Sequence, residues 1–252
     1  MKITPRPLIA GNWKMHGTKL FASEFARDLA GRFASNIGDR FDLLLCPPAP
    51  LLTVVGEVIQ STPIALGGQD CHATAQGPHT GDVSAGMLMD VGCTYVIAGH
   101  SERRSNHRET DAVVRDKSKT AQKGGLIALI CVGETLEQRE TGNAVDRVVR
   151  QLRESLPEAS QPQNTVVAYE PVWAIGTGKT PTPDDIAEVH LGIRIAISEL
   201  MDNPGELRIL YGGSVKPENA AEILAVPNVN GALVGGASLK PDNFLAIAEG
   251  CP

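Results

Sequence analysis

Apolar residues gather into short, largely continuous runs, and between the runs apolar positions return every three or four residues. The runs are Leu8–Ala10, Phe41–Cys46, Ile64–Leu66, Tyr95–Ala98, Leu126–Val132, Val166–Tyr169, Leu207–Tyr211 and Gly231–Val234. A strand with one solvated face alternates apolar and polar side chains. These eight do not alternate, so both of their faces are expected to be covered, as in a parallel sheet flanked by helices. The intervening segments carry helix signals. Thr180-Pro181-Thr182-Pro183-Asp184-Asp185 supplies capping and first-turn residues ahead of Ile186, Val189, Ile193 and Ile197, which share one helical face. Lys216-Pro217-Glu218 and Lys240-Pro241-Asp242 each put a proline at a helix start, where its missing N–H costs nothing.

Strand and helix alternating eight times in 252 residues is the count of a closed (β/α)8 barrel. An open, doubly wound sheet shares that alternation, so the pattern predicts an α/β protein with the closed barrel ahead. No Pro-, Gly- or Ser-rich linker interrupts the chain, and residues 1–252 are read as a single domain.

Composition narrows the function. The net charge is −6, from 29 acidic and 23 basic residues, and the longest basic run is the pair Arg103-Arg104. A broad basic face for nucleic acid is therefore not expected, and an anionic ligand needs a focused local site. The five cysteines, Cys46, Cys71, Cys93, Cys131 and Cys251, are odd in number, widely spaced and free of any Cys-x-x-Cys pair. That pattern favours a reducing compartment and argues against a disulfide framework or a zinc site. Met1 to Leu20 has no apolar stretch of signal-peptide length, and Leu126–Val132 is too short to cross a bilayer. The expectation is a cytoplasmic protein with no membrane partner.

Barrels of this architecture carry their chemistry at the C-terminal ends of the strands. The polar clusters of the chain fall there: Asn12 and Lys14 after the first run, His100 and Glu102 after the fourth, Glu170 after the sixth, Gly212-Gly213-Ser214 after the seventh and Gly235-Gly236 after the eighth. Glu170 precedes Pro171, which biases it to an extended backbone. An isolated glutamate is usually a solvated or ion-paired carboxylate, but the stretch from Pro171 to Pro181 reads as a lid, stiff at Pro171-Val172-Trp173 and small and apolar from Ala174 to Gly178. A closing apolar cover would exclude water and raise the proton affinity of the carboxylate. Gly178-Lys179-Thr180 imitates a nucleotide phosphate loop, yet the glycine needed five residues earlier is Trp173, so that reading fails. His100, read as the start of a helical turn, would have its pKa lowered by the helix dipole and stay neutral, able to hydrogen-bond a substrate carbonyl. Lys14 would add positive charge at the same oxygens. Each glycine pair alone reads as a tight turn, whereas two pairs after consecutive late strands read as a phosphate site built from backbone N–H groups.

The segments AGNWKMHG (Ala10–Gly17), AGHSERR (Ala98–Arg104), AYEPVWAIGTGK (Ala168–Lys179), YGGSV (Tyr211–Val215) and NGALVGGASL (Asn230–Leu239) resemble the triosephosphate isomerase family, in order and across essentially the whole chain. The resemblance implies a TIM barrel that interconverts dihydroxyacetone phosphate and D-glyceraldehyde 3-phosphate without cofactor or metal. It implies Glu170 as the base, His100 as the electrophile relaying protons between two oxygens, and Asn12 and Lys14 as the groups that polarise them. Backbone N–H groups of Gly176, Ser214, Gly235 and Gly236 would hold the phosphate. Glu102 would be the carboxylate near the lysine, Tyr211 and Ser214 the latch of the closed lid, and Cys131 a structural neighbour of the base. The stretch Gln69–Ala85 resembles the loop that reaches into a second subunit, which implies a homodimer.

Two positions depart from the family pattern. Pro181 stands where a small non-proline residue is usual and is expected to stiffen the second hinge of the lid. Arg108 stands where glycine is common and is expected to act only locally at the surface. Two rival readings are another phosphosugar isomerase or aldolase on the same barrel and a silent phosphosugar-binding barrel. A Schiff-base lyase would need a lysine at a middle or late strand end, where none is convincing, and Glu170, His100 and Lys14 together speak against a silent barrel.

Overall fold

The computed structural model describes residues 5–36, 40–175 and 179–252, with the side chains of 34–36 left aside. Eight strands close into one parallel barrel in chain order. They are β1 (Leu8–Asn12), β2 (Asp42–Cys46), β3 (Ala65–Gly68), β4 (Tyr95–Ala98), β5 (Ile127–Val132), β6 (Thr165–Tyr169), β7 (Arg208–Tyr211) and β8 (Gly231–Val234). All eight overlap the apolar runs, and closure through the β1–β8 ladder excludes the open sheet. The helices among the described residues are α1 (Lys19–Asn36), α2 (Leu52–Ile59), α3 (Ala85–Asp90), α4 (Ser101–Asn106), α5 (Asp111–Gly124), α6 (Leu136–Glu140), α7 (Ala144–Ser155), α8 (Pro183–Ser198), α9 (Pro217–Leu224) and α10 (Pro241–Glu249).

Largely continuous apolar runs suit this architecture because each strand buries both faces. Leu8, Ala10, Leu44, Ile97, Leu129, Val166 and Leu210 fill the barrel interior. Ile9, Leu43, Leu45, Val96, Ile130, Val167 and Ile209 point outward into the layer beneath the helices. Helix α8 shows how local sequence sets an element. Thr182 and Asp185 form a reciprocal capping box, Pro183 occupies the first turn, and Ile186, Val189, Ile193 and Ile197 are buried against the barrel.

The two departures acquire physical content. Arg108 has φ of 59°, the left-handed region where a side chain is strained and glycine is not, so the residue stores local strain at an exposed turn. Pro181 is buried immediately before the α8 cap.

One half-buried charge lacks a counterion among the described residues. Arg194 on α8 donates to the carbonyls of Pro204 and Leu207 and, at 2.7 Å, to Oδ1 of Asn230, with no carboxylate partner among the described residues. Burial pushes its pKa down to about 10. Asn230→Asp would keep the acceptor used by Arg194 and by the Ile209 N–H and add the missing charge. Thermal unfolding of Asn230→Asp is expected at a higher temperature, by about 2–4 °C for each kcal/mol gained in a chain of this size. An unchanged or lower midpoint would show that the neutral acceptors already suffice.

Candidate active site

The polar groups expected at the strand ends meet at one mouth of the barrel. A cavity of about 500 Å³ is lined by Asn12, Lys14, His100, Glu170, the Gly212–Ser214 turn and Gly235-Gly236. Gly176 lies outside the described residues. The lid residue described on its near side, Ile175, also lines the cavity.

Glu170 follows β6 directly and is 1% exposed. Its Oε1 is 2.8 Å from Nε2 of His100, and its Oε2 accepts the Ser101 N–H at 2.9 Å. Burial opposes the carboxylate charge. The imidazole, the Ser101 N–H and the Cys131 thiol outweigh burial and hold the carboxyl below its ordinary value. Burial also pushes the Cys131 thiol well up, so it stays protonated and can donate.

His100 caps α4, and its Nδ1 accepts the Glu102 N–H at 3.2 Å. That bond leaves the proton on Nε2, so the neutral ring is a donor towards the cavity. Burial and Lys14 lower the ring's proton affinity, but the Glu170 carboxylate outweighs them and moves its pKa up. Both signs differ from the sequence-based expectation of a lowered histidine and a raised glutamate. The reason is contact: the carboxylate rests on the ring and on Ser101 instead of under an apolar cover.

Lys14 sits just past β1 with φ of 51°. Two bonds hold that strained backbone: its N–H donates to Oδ1 of Asn12 at 3.0 Å, and Nε2 of Gln69, itself anchored on the Cys46 carbonyl at 2.8 Å, donates to its carbonyl at 2.9 Å. Its ammonium meets Oε1 of Glu102 at 2.6 Å and stands near Gly235. Across the cavity, the N–H groups of Ser214, Gly235 and Gly236 have no acceptor among the described residues. Ser214 Oγ donates to the Ala174 carbonyl at 3.1 Å, which ties the β7 turn to the base of the lid. The Tyr211 hydroxyl is buried and has no hydrogen-bond partner among the described residues, and it lies so close beneath Gly213 that a Cβ there would stand 2.1 Å away.

Two participants were not singled out from the sequence. Gln69 braces Lys14 as described. Glu134, just past β5 and fully buried, gathers the Tyr169 hydroxyl at 3.0 Å, the Trp173 indole N–H at 2.9 Å and the Arg139 guanidinium at 3.3 Å. It thereby anchors the short turn Val172–Ala174 that follows Glu170. Its place at a strand end was a signal that could have found it. One group among the described residues has the composition of a metal site, namely His72, His79 and Asp82 in the Gln69–Ala85 stretch. His72 Nδ1 accepts the Thr74 N–H at 3.0 Å, so its Nε2 holds the proton and is not free to ligate.

A family model described as triosephosphate isomerase matches residues 7–251. The chain belongs to the triosephosphate isomerase family. It is 56% identical over 248 residues to a triosephosphate isomerase of Afipia carboxidovorans, with 98% of each chain covered. The same identity holds over 250 residues for one of Rhodopseudomonas palustris, again with 98% of each covered. A crystal structure of triosephosphate isomerase from Bartonella henselae superposes with a TM-score of 0.90 at 47% identity, covering 97% of this chain and 98% of that one. Membership makes the chain an isomerase acting on triose phosphates. Among the described residues no helix is long and apolar enough to cross a membrane.

Proposed function

We propose that the chain interconverts dihydroxyacetone phosphate and D-glyceraldehyde 3-phosphate through an enediolate, with Glu170 as base and His100 as electrophile. The observation that carries this reading is the convergence of Glu170, His100 and Lys14 on one cavity that also holds the two glycine turns. The carboxylate removes a proton from the carbon beside the carbonyl, and the electron pair of that C–H bond becomes the carbon–carbon double bond of the enediolate. The carbonyl oxygen takes the displaced charge, stabilised by the His100 Nε2–H and, with Asn12, by the Lys14 ammonium. His100 relays the hydroxyl proton from the one oxygen to the other, and returning the carbon-bound proton to the neighbouring carbon completes the exchange of ketone for aldehyde. Oxidation at one carbon balances reduction at the other, so the chemistry calls for no redox cofactor.

Backbone N–H groups of Ser214, Gly235, Gly236 and Gly176 would hold the phosphate, and Tyr211 and Ser214 would latch the lid, keeping the enediolate from losing phosphate to water. Glu102 orients the ammonium. A coupled assay of glyceraldehyde 3-phosphate conversion, inhibited by a two-carbon phosphate–carboxylate mimic, tests the reading. Absence of turnover in folded protein would overturn it.

The closed barrel running from β1 to α10 supports one domain over residues 1–252. The proposed partner is a second copy of this chain, joined through Gln69–Ala85. The tip of that loop is exposed, its base is closed by a His72 N–H to Val83 carbonyl bond of 2.8 Å, and Met15 nearby is 94% exposed. Light scattering is expected to give twice the chain mass, and a fully active monomer would refute the dimer. A cytoplasmic location is part of the same proposal, resting on the five buried, unpaired thiols.

A further inference from the structure

The tips of β5 and β6 run side by side where the base stands. The Glu170 N–H donates to the Val132 carbonyl at 2.7 Å, and the Val172 N–H to the Glu134 carbonyl at 3.1 Å. The intervening residue, Gly133, turns its N–H away from β6 to Oε1 of Gln151 at 2.7 Å. Gln151 belongs to α7, on the outer side of the barrel, and is buried. Gly133 is pressed against the base: a Cβ built on it would lie 1.8 Å from the Glu170 carbonyl oxygen. On the other flank a Cβ on Gly212 would lie 2.8 Å from Glu170 Cγ, and the Gly212 N–H is held by the Tyr169 carbonyl at 2.7 Å. Glu170 is thus wedged between two glycines, and only the Gly133 side depends on a side chain from a helix.

We propose that Gln151 is a positioning residue for Glu170, acting through the Gly133 peptide; the proposal rests on Glu170 being the base. Without the amide oxygen, the half-buried Gly133 N–H loses its acceptor and turns to find another. Space for that movement exists, since a second cavity of about 230 Å³ lies behind the carboxylate, lined by Gln151, Gly133, Glu170, Ser101 and Arg104. Because Gly133 rests on the Glu170 main chain, its displacement carries the base with it. A shift of about 1 Å in a reacting group costs on the order of 10²-fold in rate. The glycine turns proposed to hold phosphate follow β7 and β8 and line a different cavity from Gln151, so affinity for the phosphate end is preserved.

The test compares Gln151→Met, Gln151→Asn, Gln151→Glu and Glu170→Gln by steady-state kinetics, pH profile and thermal unfolding. Methionine removes the acceptor at similar volume, and asparagine withdraws it by one methylene while keeping the polarity, so the test survives if methionine prevents folding. Both variants are expected to lose about tenfold or more in kcat with KM within about twofold. Their acid limb should also move to higher pH, because the donors to Glu170 are disarranged. Gln151→Glu keeps an acceptor at the same reach, with Arg104 and Arg147 on the same cavity wall, and is expected to recover most of the loss. A folded Met or Asn variant with kcat within twofold of the parent overturns the proposal, as does equal loss in the Glu variant. Full turnover in Glu170→Gln would instead remove the base assignment. Loss there, with intact Gln151 variants, defeats only the positioning role.

Discussion

Glu170→Ala is expected to lower kcat by about 10²–10⁴-fold or more while KM changes far less, the signature of a group acting on the transition state. The remaining groups of the site would still bind substrate, since the proposed phosphate donors follow β7 and β8, separate from β6. The pH profiles of the parent enzyme sharpen the expectation. As the proposed base Glu170 would work ionised, and in the free enzyme His100 and Ser101 outweigh burial and hold its carboxyl below the ordinary carboxylate value. The acid limb of kcat/KM, which reports the free enzyme, should therefore fall only below the usual carboxylate range. The limb of kcat, which reports the complex, should lie higher, because the base has exchanged those donors for a water-excluded pocket. Coincident limbs would mean that Glu170 keeps its contacts during turnover.

Lys14→Met carries the second largest expected effect, a fall in kcat/KM on the order of 10²-fold, shared between a higher KM and a lower kcat. One charge-assisted hydrogen bond to a phosphate or enediolate oxygen is worth about 1.5–3 kcal/mol. The loss also leaves Glu102, bound to the Lys14 ammonium at 2.6 Å, as an uncompensated anion close to an anionic substrate. Removing that anion in Lys14→Met/Glu102→Gln should restore part of the loss, and no recovery would limit Glu102 to holding the lysine in place.

The turn after Glu170 and the lysine brace illustrate what was hidden from sequence reading. Glu134 acts on Trp173 thirty-nine positions later, and Gln69 acts on Lys14 fifty-five positions earlier. Neither stands in a local pattern with its partner, because only pairing of the strands brings the loops after β1 and β3, or after β5 and β6, together. The protonation of the central pair was hidden for the same reason. A helix start after β4 argues for a neutral histidine, and a lid after β6 argues for a proton-hungry carboxylate. The 2.8 Å contact between them reverses both tendencies.

What the chain determined alone was everything that depends on neighbours in sequence: eight strands from largely continuous apolar runs, the capped start of α8, the proline starts of α9 and α10, and polar residues placed just past strand ends. Those features arise from hydrogen bonding and burial within a few residues, and they survive in any arrangement of the elements. Tertiary structure alone decided closure over an open sheet, the contact of His100 with Glu170, and the bracing of Glu170 by Gln151 through Gly133. Each of these is a distance between groups far apart in the chain, and such distances exist only once packing has brought the strand tips into register around one mouth.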